Sequence, residues 1–106
     1  MNQIQENEKS SIATNVKDLP EKPNLYDVVF YNDDYTPIDF VVAIFCKIFN
    51  HSEEKAMSLA NKIHNEGQAV AGTYIKEIAK QKVSKSMSLS KQNGFPLQCE
   101  LKLSKK

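Results

Sequence analysis

A chain of 106 residues with a formal net charge of +1, 41% hydrophobic and 25% charged residues has the balance of one ordinary globular domain. Its longest unbroken apolar run, Phe40 to Cys46, is far short of the roughly 20 residues a membrane-crossing helix needs. Its basic charge is carried by lysine alone, without the arginine forks that read phosphates and base edges, so neither a membrane protein nor a nucleic-acid binder is expected.

Residues Met1 to Asn24 are rich in Asn, Gln, Ser, Glu and Lys and lack aromatics, and the prolines of Leu19-Pro20-Glu21-Lys22-Pro23 resist regular structure. This predicts a flexible extension over 1–23 and a folded domain over 24–106, nearer ~80 residues than the full length. Leu25 to Tyr31 is short, β-branched and aromatic, with apolar groups on both faces of Val28-Val29-Phe30-Tyr31, and predicts a first strand packed on both sides. After the turn residues Asn32-Asp33-Asp34-Tyr35, Thr36-Pro37 predicts a helix start, with the threonine hydroxyl as cap, proline in the first helical position and Asp39 suited to the helix dipole. That helix, Ile38 to Phe49, is apolar nearly all round, with Asp39 and Lys47 its only charges. Such a helix is either sandwiched in a core or keeps one apolar face for something else.

Ser52-Glu53-Glu54 opens a second helix that runs to His64 or Asn65 and stops at Gly67, with Ala56, Leu59, Ala60 and Ile63 as its apolar side. Gln68 to about Thr73 predicts a second strand, with Thr73 capping a third helix that carries Ile75, Ile78, Ala79, Val83 and Met87 at helical spacing. Asn93-Gly94 ends it, Phe95-Pro96 breaks the chain, and the alternation from Leu97 to Leu103 predicts a half-buried third strand. The order β-α-α-β-α-β predicts a small single α+β domain, a three-stranded antiparallel sheet packed against three helices on one side.

Few residues offer chemistry. Cys46 and Cys99 lie 53 positions apart with no second cysteine near either, which fits neither a zinc site nor a disulfide framework. Two buried thiols in a reducing compartment are expected instead. The N-terminus has no basic-then-apolar signal pattern, and a cytoplasmic protein is expected. Asn32-Asp33-Asp34 is the densest polar cluster, but adjacent acids do not have the alternating oxygen ligands of a calcium loop. Its plain reading is a turn whose side chains cap backbone donors. There is no G-x-S-x-G, no glycine-rich phosphate loop in a chain with three glycines, and no paired histidine motif. His64 alone reads as a surface residue beside an apolar stripe, and Glu77 and Lys82 as a solvated face. No enzyme, no metal and no cofactor are expected.

The segment Val29-Phe30-Tyr31-Asn32-Asp33-Asp34-Tyr35-Thr36-Pro37-Ile38-Asp39-Phe40-Val41 resembles the signature of the ClpS family, N-D-D-x-T-P followed by an apolar residue and [ED]-[FY]-V. The resemblance continues through His64-Asn65-Glu66-Gly67, Val70-Ala71-Gly72 and Phe95-Pro96-Leu97-Gln98-Cys99, and covers about residues 24 to 103 without a gap. It implies an adaptor that binds N-degrons, the destabilising N-terminal residues Leu, Phe, Tyr and Trp, and delivers their bearers to the ClpA unfoldase of the ClpAP protease. By position, Asn32, Asp33 and His64 resemble the group that holds the free α-amino group, with Asp34 and Thr36 in the same loop. Ile38, Val41, Ala60, Ile63 and Leu97 resemble the lining of the apolar pocket. Glu77 and Lys82 resemble the contacts with the unfoldase N-terminal domain, the segment 1–23 resembles the part that enters the unfoldase, and a monomer is implied.

Physical chemistry agrees with this division of labour. Burying a Leu or Phe side chain is worth roughly 1.5 to 3 kcal/mol, but would not distinguish a chain end from an internal residue. Acceptors that fit only an α-amine supply the discrimination, since leaving one buried and unpaired costs about 1 to 3 kcal/mol. Two positions depart from the family pattern, which commonly has methionine where this chain has Ile38 and Ala60. Ile38 is stiffer than methionine and is expected to reject β-branched N-terminal residues at least as firmly, whereas Ala60 removes wall volume. A ribosomal-stalk-like domain is the competing reading, opposed by the neutral charge and the N-D-D-x-T-P loop. An enzyme using Asp33 or Asp34 as acid and base is the third.

Overall fold

The computed structural model describes residues 23–105, so the extension predicted over 1–23 lies outside the described residues save for Pro23. The elements follow in the order β1 (Leu25–Tyr31), α1 (Ile38–Lys47), α2 (Glu53–Glu66), β2 (Gln68–Ile75), α3 (Lys76–Gln92) and β3 (Gln98–Leu103). The strands form one antiparallel sheet in the order β2-β1-β3, which makes the first strand the central one.

Alternation along the strands settles which face is inside. Val28 and Phe30 of β1, Ala69 and Ala71 of β2 and Cys99 of β3 join one core with Val41, Ile44, Phe45 and Phe49 around α1, and Ala56, Leu59, Ala60 and Ile63 of α2. Phe30 packs edge-to-face on Phe45 and Phe49, with ring centroids 5.0 and 5.6 Å away. Val29 is buried but lies outside that core, on the other face of the sheet. There its cross-strand neighbours Val70 and Glu100 flank it, so its burial comes from a central position within the sheet. A β-bulge between Val28 and Val29 shifts the β1–β2 register opposite Gly72, where a Cβ would collide with the Tyr74 ring.

Local signals and tertiary pairing diverge at several element ends. Thr36 does not cap α1. The N-cap is Pro37, without a side-chain hydrogen bond, because the Thr36 hydroxyl is engaged with Asp33. The helix ends at Lys47 rather than Phe49: Asn50 turns the chain with φ 57°, a left-handed conformation that asparagine tolerates, and Phe49 tucks back into the core. Nor does Thr73 cap α3, because pairing with β1 carries β2 on to Ile75. Thr73 donates its hydroxyl to Asp27 across the strands at 2.7 Å instead. α3 accordingly starts without a side-chain cap.

The face that α3 turns to the sheet is also more polar than its spacing suggests. Ala79, Ser86 and Ser90 are buried there, while Ile75 and Ile78 are exposed. Ser90 donates to the Ser86 carbonyl, and the Ser86 hydroxyl has no partner among the described residues. The two thiols are free. Cys99 is buried, and burial pushes its pKa to about 12; Cys46 is only partly buried, which corrects the expectation of two buried thiols.

Candidate functional site

The site grows from the turn between β1 and α1. Asp33 shapes it: one carboxylate oxygen accepts from the backbone N–H of Tyr35 at 2.8 Å and of Thr36 at 2.7 Å, and the other accepts the Thr36 hydroxyl at 2.8 Å. Burial pushes the Asp33 pKa up, but these hydrogen bonds from Thr36 and Tyr35 together outweigh it and hold the carboxyl below its ordinary value. A fixed negative charge therefore sits inside a loop that its own donors have already braced.

A second contact ties this loop to α2. The Asn32 N–H donates to the Gly67 carbonyl at 2.9 Å. Gly67 is the left-handed cap of α2, at φ 92°, and its own N–H closes the helix onto Ile63 at 2.8 Å. The loop is thus pinned to the helix end that carries His64. Ser52 starts the same helix by accepting the Lys55 N–H at 3.1 Å, so both ends of α2 are fixed.

Between the loop, α1 and α2 lies a hollow of about 240 Å³. Its lining comprises Tyr31, Asn32, Asp33, Asp34, Thr36, Ile38, Val41, Ala60, Ile63, His64 and Leu97. All ten residues assigned from the sequence to the amine group, the loop and the apolar pocket border this one space. The polar ones gather on the β1–α1 turn and the last turn of α2, and the apolar ones come from α1, α2 and the residue before β3. Tyr31 is the lining residue that sequence reasoning missed. Its phenol donates to Glu100 on the outer side of the sheet, where the Lys102 ammonium sits 5.8 Å from its ring centre. Only its place directly before Asn32 could have nominated it.

Glu77 and Lys82 lie elsewhere, on α3. Glu77 is exposed in the first turn of the helix. Lys82 is partly buried. Its ammonium donates to the Ile48 carbonyl beyond α1 at 2.6 Å and faces the Phe49 and Tyr74 rings at 5.8 and 5.5 Å. Burial and the neighbouring Lys85 charge both lower its pKa. It is not the solvated side chain that its spacing suggested, because the end of α1 supplies it with a bare carbonyl and the Phe49 ring, and β2 adds the Tyr74 ring.

Among the described residues, no group of three or more His, Cys, Asp and Glu side chains could hold a metal ion, and no helix is long and apolar enough to cross a membrane. What the geometry defines is a binding module, an open hollow that is apolar where α1 and α2 line it and carries a braced, anionic rim. Its family is settled by comparison. Residues 21–100 match the family model described as ATP-dependent Clp protease adaptor protein ClpS, and the chain belongs to that family. It is 46% identical over 80 residues to the ATP-dependent Clp protease adapter protein ClpS of Treponema denticola, covering 76% of this chain and 79% of that one. It is 40% identical over 92 residues to the protein of that name from Caulobacter vibrioides, covering 87% and 84%. The fold is similar to the solved structure of Agrobacterium tumefaciens ClpS2 bound to L-phenylalaninamide, with a TM-score of 0.76 and 34% identity over 78% of this chain and all of that one. The chain is an adaptor by family and not an enzyme.

Proposed function

We propose that this adaptor recognises substrates by an N-terminal Leu, Phe, Tyr or Trp and passes them to a ClpA-type AAA+ unfoldase, altering which substrates the ClpAP protease takes. The observation that carries the reading is the meeting of an apolar hole with Asn32, Asp33 and His64 at its rim. The side chain enters between α1 and α2. An α-amine, mostly cationic at neutral pH, then finds acceptors in the Asn32 amide oxygen and an imidazole nitrogen of His64. Asp33, whose oxygens already accept three loop hydrogen bonds, positions the loop and supplies charge. The L-phenylalaninamide in the similar ClpS2 structure, an amino-acid amide with a free α-amine and an aromatic side chain, supports this reading.

Glu77 and Lys82 form the dock for the unfoldase N-terminal domain, residues 1–23 are the part the unfoldase engages, and the adaptor works as a monomer in the cytoplasm. Because Lys82 also ties α3 to the end of α1, Glu77→Lys is the cleaner probe of docking. That variant should keep peptide affinity and lose stimulated degradation. Loss of peptide binding would show that the dock has been misplaced.

The recognition step is tested by fluorescence polarisation with a Phe-initiated peptide, free and N-acetylated. Acetylation should weaken binding by at least about tenfold, the effect of leaving one buried acceptor unpaired. Equal binding of the two would contradict α-amine recognition.

A further inference from the structure

A second open hollow lies beside Leu97, between the C-terminal half of α3 and the start of β3. It is lined by Met87, Ser88, Lys91, Phe95, Leu97 and Gln98. Leu97 is the one residue that it shares with the hollow at Asn32 and His64, and at 3% exposed it is the partition between the two.

The sheet fixes where that partition stands. β1 and β3 pair Tyr31 with Gln98, so Leu97 lies one step further on, at the level of Asn32. α2, which brings His64, packs on β2, and the strand order β2-β1-β3 puts Leu97 on the opposite side of the central strand. A peptide held by its amine near Asn32 and His64 therefore has α2 on one side and Leu97 on the other. Leaving away from α2, it crosses Leu97 and meets the second hollow.

The apolar part of that hollow is built before a ligand arrives. Gly94 turns the chain at φ 75° after α3, and the Phe95 N–H then donates to the Ser90 carbonyl at 2.9 Å. The Phe95 ring meets Phe40 of α1 in an edge-to-face contact with centroids 4.7 Å apart. Backbone and ring are both held, so Phe95 is a fixed wall. Met87, half-buried on α3, adds a second apolar side chain, while Ser88, Lys91 and Gln98 are exposed around it.

In an extended chain alternate side chains share a face, and two residues advance it by about 7 Å. The third residue is thus the first after the N-terminal one that points the same way. We infer that the second hollow takes the side chain of a substrate's third residue and favours an apolar one there. The inference rests on the N-degron reading and extends it to a second position, held by Met87 and Phe95.

The test is competition against one labelled peptide by four peptides of otherwise identical sequence that begin with Phe. One has serine at positions two to four, one has leucine at position three, one has leucine at position four, and the last is the N-acetylated form of the second. On the full chain, leucine at position three should tighten binding about fivefold over serine, the effect of half-burying one leucine, and leucine at position four less than twofold. Met87→Ser should cut the gain from the third-position leucine to less than twofold while the all-serine peptide stays within twofold of its affinity for the unaltered chain. Equal binding of the serine and third-position leucine peptides overturns the inference with no variant needed. A gain as large at position four, or one that Met87→Ser leaves intact, overturns it too. If acetylation abolishes binding while the third residue makes no difference, only this inference falls; acetylated peptide binding like the free one removes the proposed function beneath it.

Discussion

Two helices of this molecule are approached through a hydroxyl residue and use it in opposite ways. At α2 the Ser52 hydroxyl accepts the Lys55 N–H and satisfies the helix it precedes. At α1 the Thr36 hydroxyl turns backwards and donates to Asp33, and the helix starts on Pro37 without a side-chain cap. The contrast shows where the fold gives up local helix stability. At α2 the hydroxyl serves the scaffold; at α1 it braces a loop around a carboxylate that faces the hollow.

Substitutions can break the contrast from either side, and the largest effect belongs to Asp33. Asp33→Ala removes a charge and three hydrogen bonds from the loop, and should weaken a Phe-initiated peptide by ~30-fold or more, since each bond to a charged group is worth about 1.5 to 3 kcal/mol. Polarisation titration measures it, and unchanged affinity would mean the brace does not serve recognition. Thr36→Val removes one of those bonds and should cost about tenfold in the same titration, with little change in melting temperature. Ser52→Ala should do the reverse: affinity stays within twofold while stability falls by about 1 kcal/mol, which calorimetry would read as a drop of roughly 4 to 8 °C.

Acid sharpens the same comparison with a smaller effect. The folded Asp33 pKa is depressed, so its contribution is present above the ordinary aspartate pKa and is lost as pH falls through the lower folded value. The Tyr35 and Thr36 amide resonances should therefore hold until pH drops below the usual carboxylate range and then move together. The Lys55 amide, bonded to a hydroxyl that does not titrate, should show no such step.

The cysteines give an independent check on the core behind the site. Cys99, with a thiol raised to about 12, should resist alkylation at neutral pH in the folded state, and Cys46 should be labelled first.

The elements themselves were legible because hydrophobic period and punctuation are local: the alternation after Leu97 and the Ser52 and Gly67 ends of α2 all act within a few residues. What local signals missed was decided by distant partners. Thr73 looks like a cap until Asp27, in a strand 46 residues earlier, takes its hydroxyl and keeps the chain extended. Lys82 looks solvated until the bare Ile48 carbonyl and two aromatic rings arrive from other elements. Ser86 and Ser90 carry no apolar signal, yet they are among the buried residues of α3. The site residues were nominated by resemblance, since spacing alone left Asn32-Asp33-Asp34 as a turn and His64 as surface. Folding brings that turn and that histidine to one rim because β1 pairs with β2, setting Tyr31 opposite Gln68, and the Asn32 N–H bonds to the Gly67 carbonyl beside them.

Following the backbone amide signals of the full chain during titration with L-phenylalaninamide, and in parallel with its N-acetylated form, tests the recognition site most directly. The free amine should shift Asn32, Asp33, Ile63 and His64 together and saturate, while the acetylated compound leaves them in place. Matching shifts with both compounds, or shifts confined to α3, would contradict it.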